Sequence, residues 1–220
     1  MSAPAHRARW IERVLFEHPL LYRFKRFVIE RVIWDWILSG ILRLSPNPLP
    51  EISEYVRGRR VLLAACGPGD VSTGPPIEAA ADVVAFDLAP RFAAACRRHR
   101  PHWHVYCGDV TQIPCRSRTF DVAVLYSSLH HIPANAAKVL AELARVTHGR
   151  IIILEGVLPP HGALRHALRA WYALVDGGVH YYTRSELETA FQRLQLRPEH
   201  LSAHGPIRHM LLAVLKTPDL

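Results

Sequence analysis

The chain has 220 residues, half of them apolar, and a formal net charge of +8 at pH 7. A chain of this length and apolar content can bury a full hydrophobic core, which excludes an intrinsically disordered protein. The positive charge favours anionic partners, but it comes mostly from scattered arginines, as in residues 97–100, and this predicts a solvated face.

The four cysteines lack the Cys-x-x-Cys spacing of a zinc finger, and the N-terminus lacks the apolar core of a signal peptide. We therefore expect reduced thiols in a cytoplasmic protein. No run approaches the roughly 18 uncharged apolar residues that a membrane span needs.

The first 50 residues differ in pattern from the rest, which predicts two units, 1–50 and 51–220. Apolar and aromatic residues recur at helical spacing over residues 20–41, with most charges off that stripe. We expect this helix to pack on the main domain as a lid. Peripheral membrane contact through the same face is the alternative.

From residue 59 onward, apolar strands alternate with helical segments. Continuous apolar strands separated by helices predict an α/β fold with a mostly parallel sheet covered on both faces. The predicted strands are 59–65, 82–87, 102–109, 119–129 and 149–156, and the predicted helices are 72–80, 89–100 and 135–146.

The last part of the chain begins with a long connection, residues 156–182, whose aromatic side chains predict part of an apolar substrate pocket. A capping box between Thr183 and Glu186 then predicts a helix over 183–195. Two short strands follow, 197–205 and 209–216, and their close spacing predicts an antiparallel hairpin at the edge of the sheet.

Three predicted strand ends carry residues suited to a nucleoside. Parallel sheets bind ligands at the carboxyl ends of their strands. The first strand ends in Gly67-Pro68-Gly69, where glycines allow a tight bend and a close approach to a ligand. Asp87 ends the second strand and can bind a ribose diol, and Asp109 ends the third, beside the expected adenine.

The glycine turn does not suit a dinucleotide. Its sequence, GPGDVS, lacks the third glycine of the G-x-G-x-x-G pattern, and Asp70 would place a negative charge where two phosphates bind. These residues therefore favour a cofactor without phosphates.

Residues 55–220 resemble the class I S-adenosylmethionine-dependent methyltransferases, in particular the small-molecule (type 11-like) group. The motifs that carry the resemblance are VLLAACGPG, VVAFDLAP, YCGDV and FDVAVLYSSLHHI. The resemblance implies a Rossmann-like, seven-stranded sheet with an antiparallel last strand, and S-adenosyl-L-methionine as cofactor. The residues it implies for cofactor binding are Ala65, Gly67, Gly69, Asp87, Leu88, Asp109, Val110 and Ser127. Leu63 departs from the family, which usually has an acid at this position.

Methyl transfer from a sulfonium needs alignment, and it needs a base only when the acceptor must lose a proton. His130 and Glu155 follow the fourth strand and end the fifth, so we expect a base and its orienting partner. The expected reaction is methylation of a small hydrophobic or aromatic acceptor in natural-product or lipid metabolism, with an oxygen favoured. We expect no metal site, because no cluster of Asp and Asn ligands can be assembled.

Two other functions stay open. Leu63 motivates a non-catalytic S-adenosylmethionine-binding partner protein, and the positive charge motivates an RNA methyltransferase. Residues 127–130 read SSLH, whereas enzymes that methylate base amino groups usually have an Asn/Asp-Pro-Pro-aromatic string there. Nucleic acid is therefore not the expected partner. The sequence leaves the acceptor and the oligomeric state open.

Overall fold

The computed structural model describes residues 49–69, 77–132, 136–175, 180–204 and 210–218. These residues form one sheet flanked by helices. The strands are β1 (Arg60–Ala64), β2 (Asp82–Asp87), β3 (His104–Cys107), β4 (Phe120–Tyr126), β5 (Thr147–Leu158), β6 (Tyr182–Thr183), β7 (Arg197–His204) and β8 (Met210–Lys216). The helices are α1 (Leu49–Val56), α2 (Pro90–His99), α3 (Ala136–Val146), α4 (Ala163–Val175) and α5 (Arg184–Arg193), with a 3₁₀ turn at Leu129–His131.

The sheet has the order β3-β2-β1-β4-β5-β8-β7, and β6 pairs with β5. Strands β1 to β5 run parallel, whereas β8 is antiparallel to both β5 and β7. The chain therefore changes direction across the sheet between β1 and β4, which is where ligands bind in open α/β sheets. The Rossmann-like fold and the terminal antiparallel hairpin are confirmed. The two-residue β6 is the strand that the seven-stranded expectation did not include.

The sheet is buried on both faces, which explains its continuous apolar strands. On one face, Leu143 of α3, Phe191 of α5 and Ile153 of β5 belong to one buried apolar cluster. On the other face, Ile52 of α1 and Cys96 of α2 pack on the side chains of β1 and β2 that point that way.

Some predictions differ from the structure or lie outside it. Helix α4 lies inside the segment that the sequence predicted as a connection, where Leu168 and Tyr172, four residues apart, share one buried face. Helix α1 crosses the predicted boundary at residue 50, so the division into two units stays a prediction. The predicted helix over 20–41 lies outside the described residues. So does most of the predicted helix over 72–80, whose described end, 77–80, is a turn.

Across the residues that the structure describes, no helix combines the length and apolar character needed to cross a membrane.

The predicted capping box is present at the start of α5 and gives a test of the fold. The Glu186 N–H donates to Thr183 Oγ1 over 3.3 Å, and the Thr183 N–H donates to Glu186 Oε2 over 2.6 Å. We expect Thr183→Ala to lower the free energy of unfolding by about 1 kcal/mol, because the helix loses its cap. Urea unfolding followed by circular dichroism measures the change.

Thr189→Ala is the matched control, since Thr189 is exposed on the same helix. Its effect should stay within about 0.5 kcal/mol. Equal losses of unfolding free energy in the two variants would show that the capping box does not stabilise the helix.

Candidate functional site

The turn after β1 has an unusual backbone. Ala65, Gly67 and Gly69 adopt positive φ angles of 54°, 57° and 69°. Glycine takes this conformation without strain, whereas alanine does so at a cost. Gly69 also has no room for a side chain, since a Cβ there would lie 2.7 Å from Cys96 Sγ and 2.9 Å from Cys96 Cα. The turn therefore packs directly against α2.

Asp87 joins this turn to the end of β2. Its Oδ2 accepts a hydrogen bond from the Gly67 N–H, and its Oδ1 accepts one from the Ala89 N–H, both over 2.8 Å. The side chain is 7% exposed. Burial raises the pKa of Asp87 above its usual value, while the two backbone donors act in the opposite direction. Each oxygen keeps a further lone pair, so the carboxylate can accept additional hydrogen bonds.

The end of α2 holds the same turn from the other side. His99 Nδ1 donates to the carbonyl of Pro68 over 2.8 Å, and Arg100 Nε donates to the carbonyl of Gly69 over 3.1 Å. Arg100 is buried, pairs with Glu78 over 2.8 Å, and lies over the ring of Trp103. The expectation that residues 97–100 form only a solvated face is therefore wrong for Arg100. The sequence did not indicate that Arg100 holds the turn, because a series of basic residues does not show which of their side chains is buried.

The ends of β2 and β3 lie next to each other, with Asp87 paired to Cys107. Leu88 is 70% exposed, and Asp109 is exposed with its Oδ1 accepting from the Thr111 N–H over 2.7 Å. Val110, in contrast, is buried in the core. The structure thus places Leu88 and Asp109 at the surface beside Asp87, whereas the Val110 side chain packs in the core.

Leu63 occupies an apolar environment. It lies in β1 between Ala85 of β2 and Val124 of β4, and it is almost fully buried. The position that usually carries an acid in the resembling family is therefore part of the hydrophobic core here. Asp70, the carboxylate suggested as a substitute, lies outside the described residues.

Glu155 and His130 are brought together by the adjacent strands β4 and β5. Ser127, with a φ of 47°, ends β4 and donates its N–H to the Leu154 carbonyl over 2.7 Å. The 3₁₀ turn that follows places His130 Nδ1 in direct hydrogen-bond contact with Glu155 Oε1. Glu155 Oε2 accepts a hydrogen bond from the Leu129 N–H over 2.8 Å. The buried Glu155 carboxylate therefore contacts the 3₁₀ turn at both Leu129 and His130.

Two tyrosines from the segment after β5 extend this pair. The ring of Tyr181 stacks on His130 with centroids 5.0 Å apart, and Tyr172 stacks on Tyr181 at 4.7 Å. The Tyr181 hydroxyl donates to the Tyr172 carbonyl over 3.0 Å, and the His180 N–H donates to the His130 carbonyl over 3.1 Å. The imidazole therefore has a fixed orientation. A carboxylate that accepts from Nδ1 leaves Nε2 as the basic nitrogen of a neutral ring.

The sequence-predicted site residues thus fall into two groups. The turn residues and Asp87 meet at the end of β1, and Ser127, His130 and Glu155 meet at the ends of β4 and β5. Because β1 and β4 are adjacent, the two groups lie along the same edge of the sheet. No ligand contact tests their roles, which stay predictions.

Comparison with known proteins shows similarity to methyltransferases over part of the chain. Residues 62–153 match the family model described as a methyltransferase domain. This stretch contains the glycine turn, Asp87, Asp109 and His130. The resemblance to class I methyltransferases that was predicted from the motifs is therefore confirmed over these residues.

A demethylmenaquinone methyltransferase of Renibacterium salmoninarum is 34% identical over 112 residues, which cover 50% of this chain and 46% of that protein. The chain spans about half the length of the curated relatives it matches. Among solved structures, a putative methyltransferase of Bacillus halodurans has a TM-score of 0.66 at 16% identity and covers 78% of this chain and 97% of that one.

A geranyl diphosphate methyltransferase solved in complex with SAM has a TM-score of 0.65 at 13% identity, over 77% of this chain and 84% of that one. At such identities the structural likeness shows the fold alone.

The two glycines of the turn make a matched pair for a stability test. Both have similar positive φ angles, but a Cβ on Gly67 would meet nothing within 4 Å. We expect Gly67→Ala to cost about 1 kcal/mol for its backbone conformation. Gly69→Ala should cost about 1–3 kcal/mol more, because its methyl group overlaps the backbone of Cys96.

Urea unfolding of the two variants measures this difference directly. Equal destabilisation would mean that the turn does not pack against α2 as described.

Proposed function

We propose that the chain is an S-adenosylmethionine-dependent methyltransferase that acts on a small hydrophobic or aromatic acceptor. The observation that carries the proposal is the buried Asp87 carboxylate, which joins the glycine turn to β2 at the carboxyl edge of the sheet. The match of residues 62–153 to a methyltransferase domain supports it.

The residues at this edge fit the cofactor. Asp87 keeps acceptor capacity for the two ribose hydroxyls, and a buried carboxylate makes strong hydrogen bonds with such donors. Leu88 offers an exposed apolar surface for the adenine ring. Asp109 has a second oxygen that can accept from the adenine amino group, since its Oδ1 already binds the Thr111 N–H. When bound, the cofactor supplies a methyl group on a sulfonium.

His130 and Glu155 supply the proton chemistry in this proposal. Glu155 holds Nδ1, and Tyr181 holds the ring plane, so Nε2 can take the proton of an acceptor hydroxyl. His130 is 1% exposed, so the transfer would occur in a site shielded from water. This arrangement favours methylation of oxygen.

The acceptor class follows from the apolar side chains around this pair. Leu158, Leu168, Tyr172 and Tyr181 form one buried cluster beside His130. The curated relative is named for demethylmenaquinone, a small lipid-like molecule. We therefore propose a phenol or quinol with an apolar substituent as the acceptor.

A non-catalytic S-adenosylmethionine binder is the second candidate, and Leu63 is the observation that favours it. A leucine in the apolar core cannot hold the polar end of the cofactor as an acid would. Single-turnover transfer from radiolabelled cofactor to a panel of phenols and quinols separates the two candidates. The same assay with RNA as the acceptor, run at increasing salt, tests whether the chain is an RNA methyltransferase, because phosphate contacts weaken steeply with salt.

Binding of S-adenosylhomocysteine tests the cofactor site. We expect Asp87→Ala to weaken binding by about 100-fold or more, because two hydrogen bonds to a charged group are lost. Titration calorimetry measures the affinity, and circular dichroism checks that the variant is folded. Asp82→Ala is the matched control, since Asp82 lies at the opposite end of β2 from Asp87.

The control should bind the compound as the unaltered protein does. Unchanged affinity in Asp87→Ala would sink the assignment of this carboxylate.

Turnover tests the proposed base. We expect His130→Asn to lower kcat about 100- to 10,000-fold while the affinity for S-adenosylhomocysteine changes little, because only proton removal is lost. His131→Asn is the control, since His131 is the exposed neighbour. Initial rates with a phenolic acceptor give kcat, and calorimetry gives the affinity. If the two variants have the same kcat, His130 is not the base.

A further inference from the structure

We propose that Arg145 is a positioning residue that orients Asp109 toward the adenine ring, by clamping the loop after β3 to the end of α3. The proposal rests on the proposed function, because it needs the cofactor at this edge of the sheet. The loop comprises residues 108–119, which connect β3 to β4. Asp109 lies near its start, and Arg145 lies in the last turn of α3.

Arg145 and Glu142 form an ion pair with two hydrogen bonds on α3. Arg145 Nε donates to Glu142 Oε1 over 2.7 Å, and Arg145 Nη2 donates to Glu142 Oε2 over 2.9 Å. The hydrogen bond from Arg145 lowers the pKa of Glu142, so the pair stays charged at neutral pH. Two parallel bonds fix the plane of the guanidinium, and its other N–H bonds therefore point in fixed directions.

Both members of this pair bind the loop. Arg145 Nη1 donates to the Cys115 carbonyl and Nη2 donates to the Ile113 carbonyl, both over 2.9 Å. In the opposite direction, the Ile113 N–H donates to Glu142 Oε2 over 2.9 Å. Because Ile113 is buried, its backbone groups would lose these partners at a cost if the pair were removed. The Arg145–Glu142 pair therefore fixes the backbone of the loop at residues 113 and 115.

Two hydrogen bonds connect this fixed backbone to Asp109. The Gln112 N–H donates to the Asp109 carbonyl over 3.0 Å, and the Thr111 N–H donates to Asp109 Oδ1 over 2.7 Å. The second bond sets the orientation of the carboxylate and leaves Oδ2 for the adenine amino group. Val110 and Ile113 also anchor the loop by burial, but apolar contacts have no directional preference. The direction of the Asp109 carboxylate therefore depends on the hydrogen bonds of the clamp.

The clamp acts on one part of the cofactor. In the proposed site the adenine amino group meets Asp109, whereas the ribose hydroxyls meet Asp87. Loss of the clamp should therefore weaken recognition of the amino group alone. An analogue of S-adenosylhomocysteine with hydrogen in place of that amino group, the deamino analogue, separates this effect from general damage. General damage to the site would weaken the binding of both compounds equally.

The experiment measures the affinity of the full chain for both compounds by titration calorimetry. The unaltered protein should prefer S-adenosylhomocysteine by about 10-fold or more, which is the value of one hydrogen bond to a charged group. Arg145→Met should remove most of this preference and leave the affinity for the deamino analogue unchanged. Asp109→Ala should do the same, and adding Arg145→Met to it should lower the preference no further, since the two residues act as one unit.

Hydrogen exchange without any ligand tests the clamp by itself. Arg145→Met should speed the exchange of the amides of residues 111–113 by about 10-fold or more, because their acceptors move once the clamp is lost. Mass spectrometry of peptides that span residues 109–115 measures the rates. Arg184→Met is the matched control, since Arg184 pairs with Glu188 over 2.7 Å on the surface of α5. It should change neither the exchange nor the preference.

A second variant covers the case in which Arg145→Met does not fold. Arg145→Lys keeps the positive charge, but one ammonium group cannot reproduce the planar fork that binds Glu142 and two carbonyls together. It should therefore lower the preference and speed the exchange in the same direction.

Each outcome decides the proposal. Unchanged exchange in a folded variant overturns the clamp, and faster exchange with an unchanged preference overturns its effect on Asp109. Equal affinity of the unaltered protein for the two compounds overturns the recognition of the amino group by Asp109, and the positioning with it. If the unaltered protein binds neither compound, the proposed cofactor is wrong and so is the positioning, while the exchange rates still decide whether the clamp holds the loop.

Discussion

The hydrogen bonds accepted by the Asp87 carboxylate are the contact on which the candidate site depends. Adjacent parallel strands bring the ends of β1 and β2 together, and Asp87 links their loops through the N–H groups of Gly67 and Ala89. The Ala89 N–H, which donates the second of these bonds, lies just before α2. At the other end of α2, Arg100 donates a hydrogen bond to the carbonyl of Gly69 in the turn. The turn after β1 is thus held both by the end of β2 and by the end of α2. A left-handed backbone is kept in place without a large side chain of its own.

Much of the fold could be predicted because its signals are local or are repeated along the chain. Strands buried on both faces have to be apolar throughout, which is why residues 82–87 and 149–156 were recognised. The capping box of α5 lies within four residues. The meeting of His130 with Glu155 could also be predicted, since it needs only the strand order that right-handed crossover connections produce. Topology, rather than any motif, makes distant residues neighbours here.

Other features depend on contacts that a single sequence does not encode locally. Arg100 looks like one member of a basic run, and only the fold turns it inward toward Gly69 and Glu78. Helix α4 has helical periodicity, but its glycine- and proline-rich surroundings made the whole segment look like a connection. Leu63 marks a departure from a motif, yet its burial among Ala85 and Val124 became visible only with the strand pairing. In each case the partner lies far away in sequence.

The two outermost strands of the described sheet carry a further consequence. β3 has only four residues, and β7 contains Pro198 at an irregular pairing next to Glu199, whose carboxylate pairs with Arg150 over 2.5 Å. A short strand, a proline without an N–H and a charged side chain all hinder another chain from extending a sheet. Fibril-like growth at either margin is therefore disfavoured, although the central strands are apolar enough to aggregate if they were exposed.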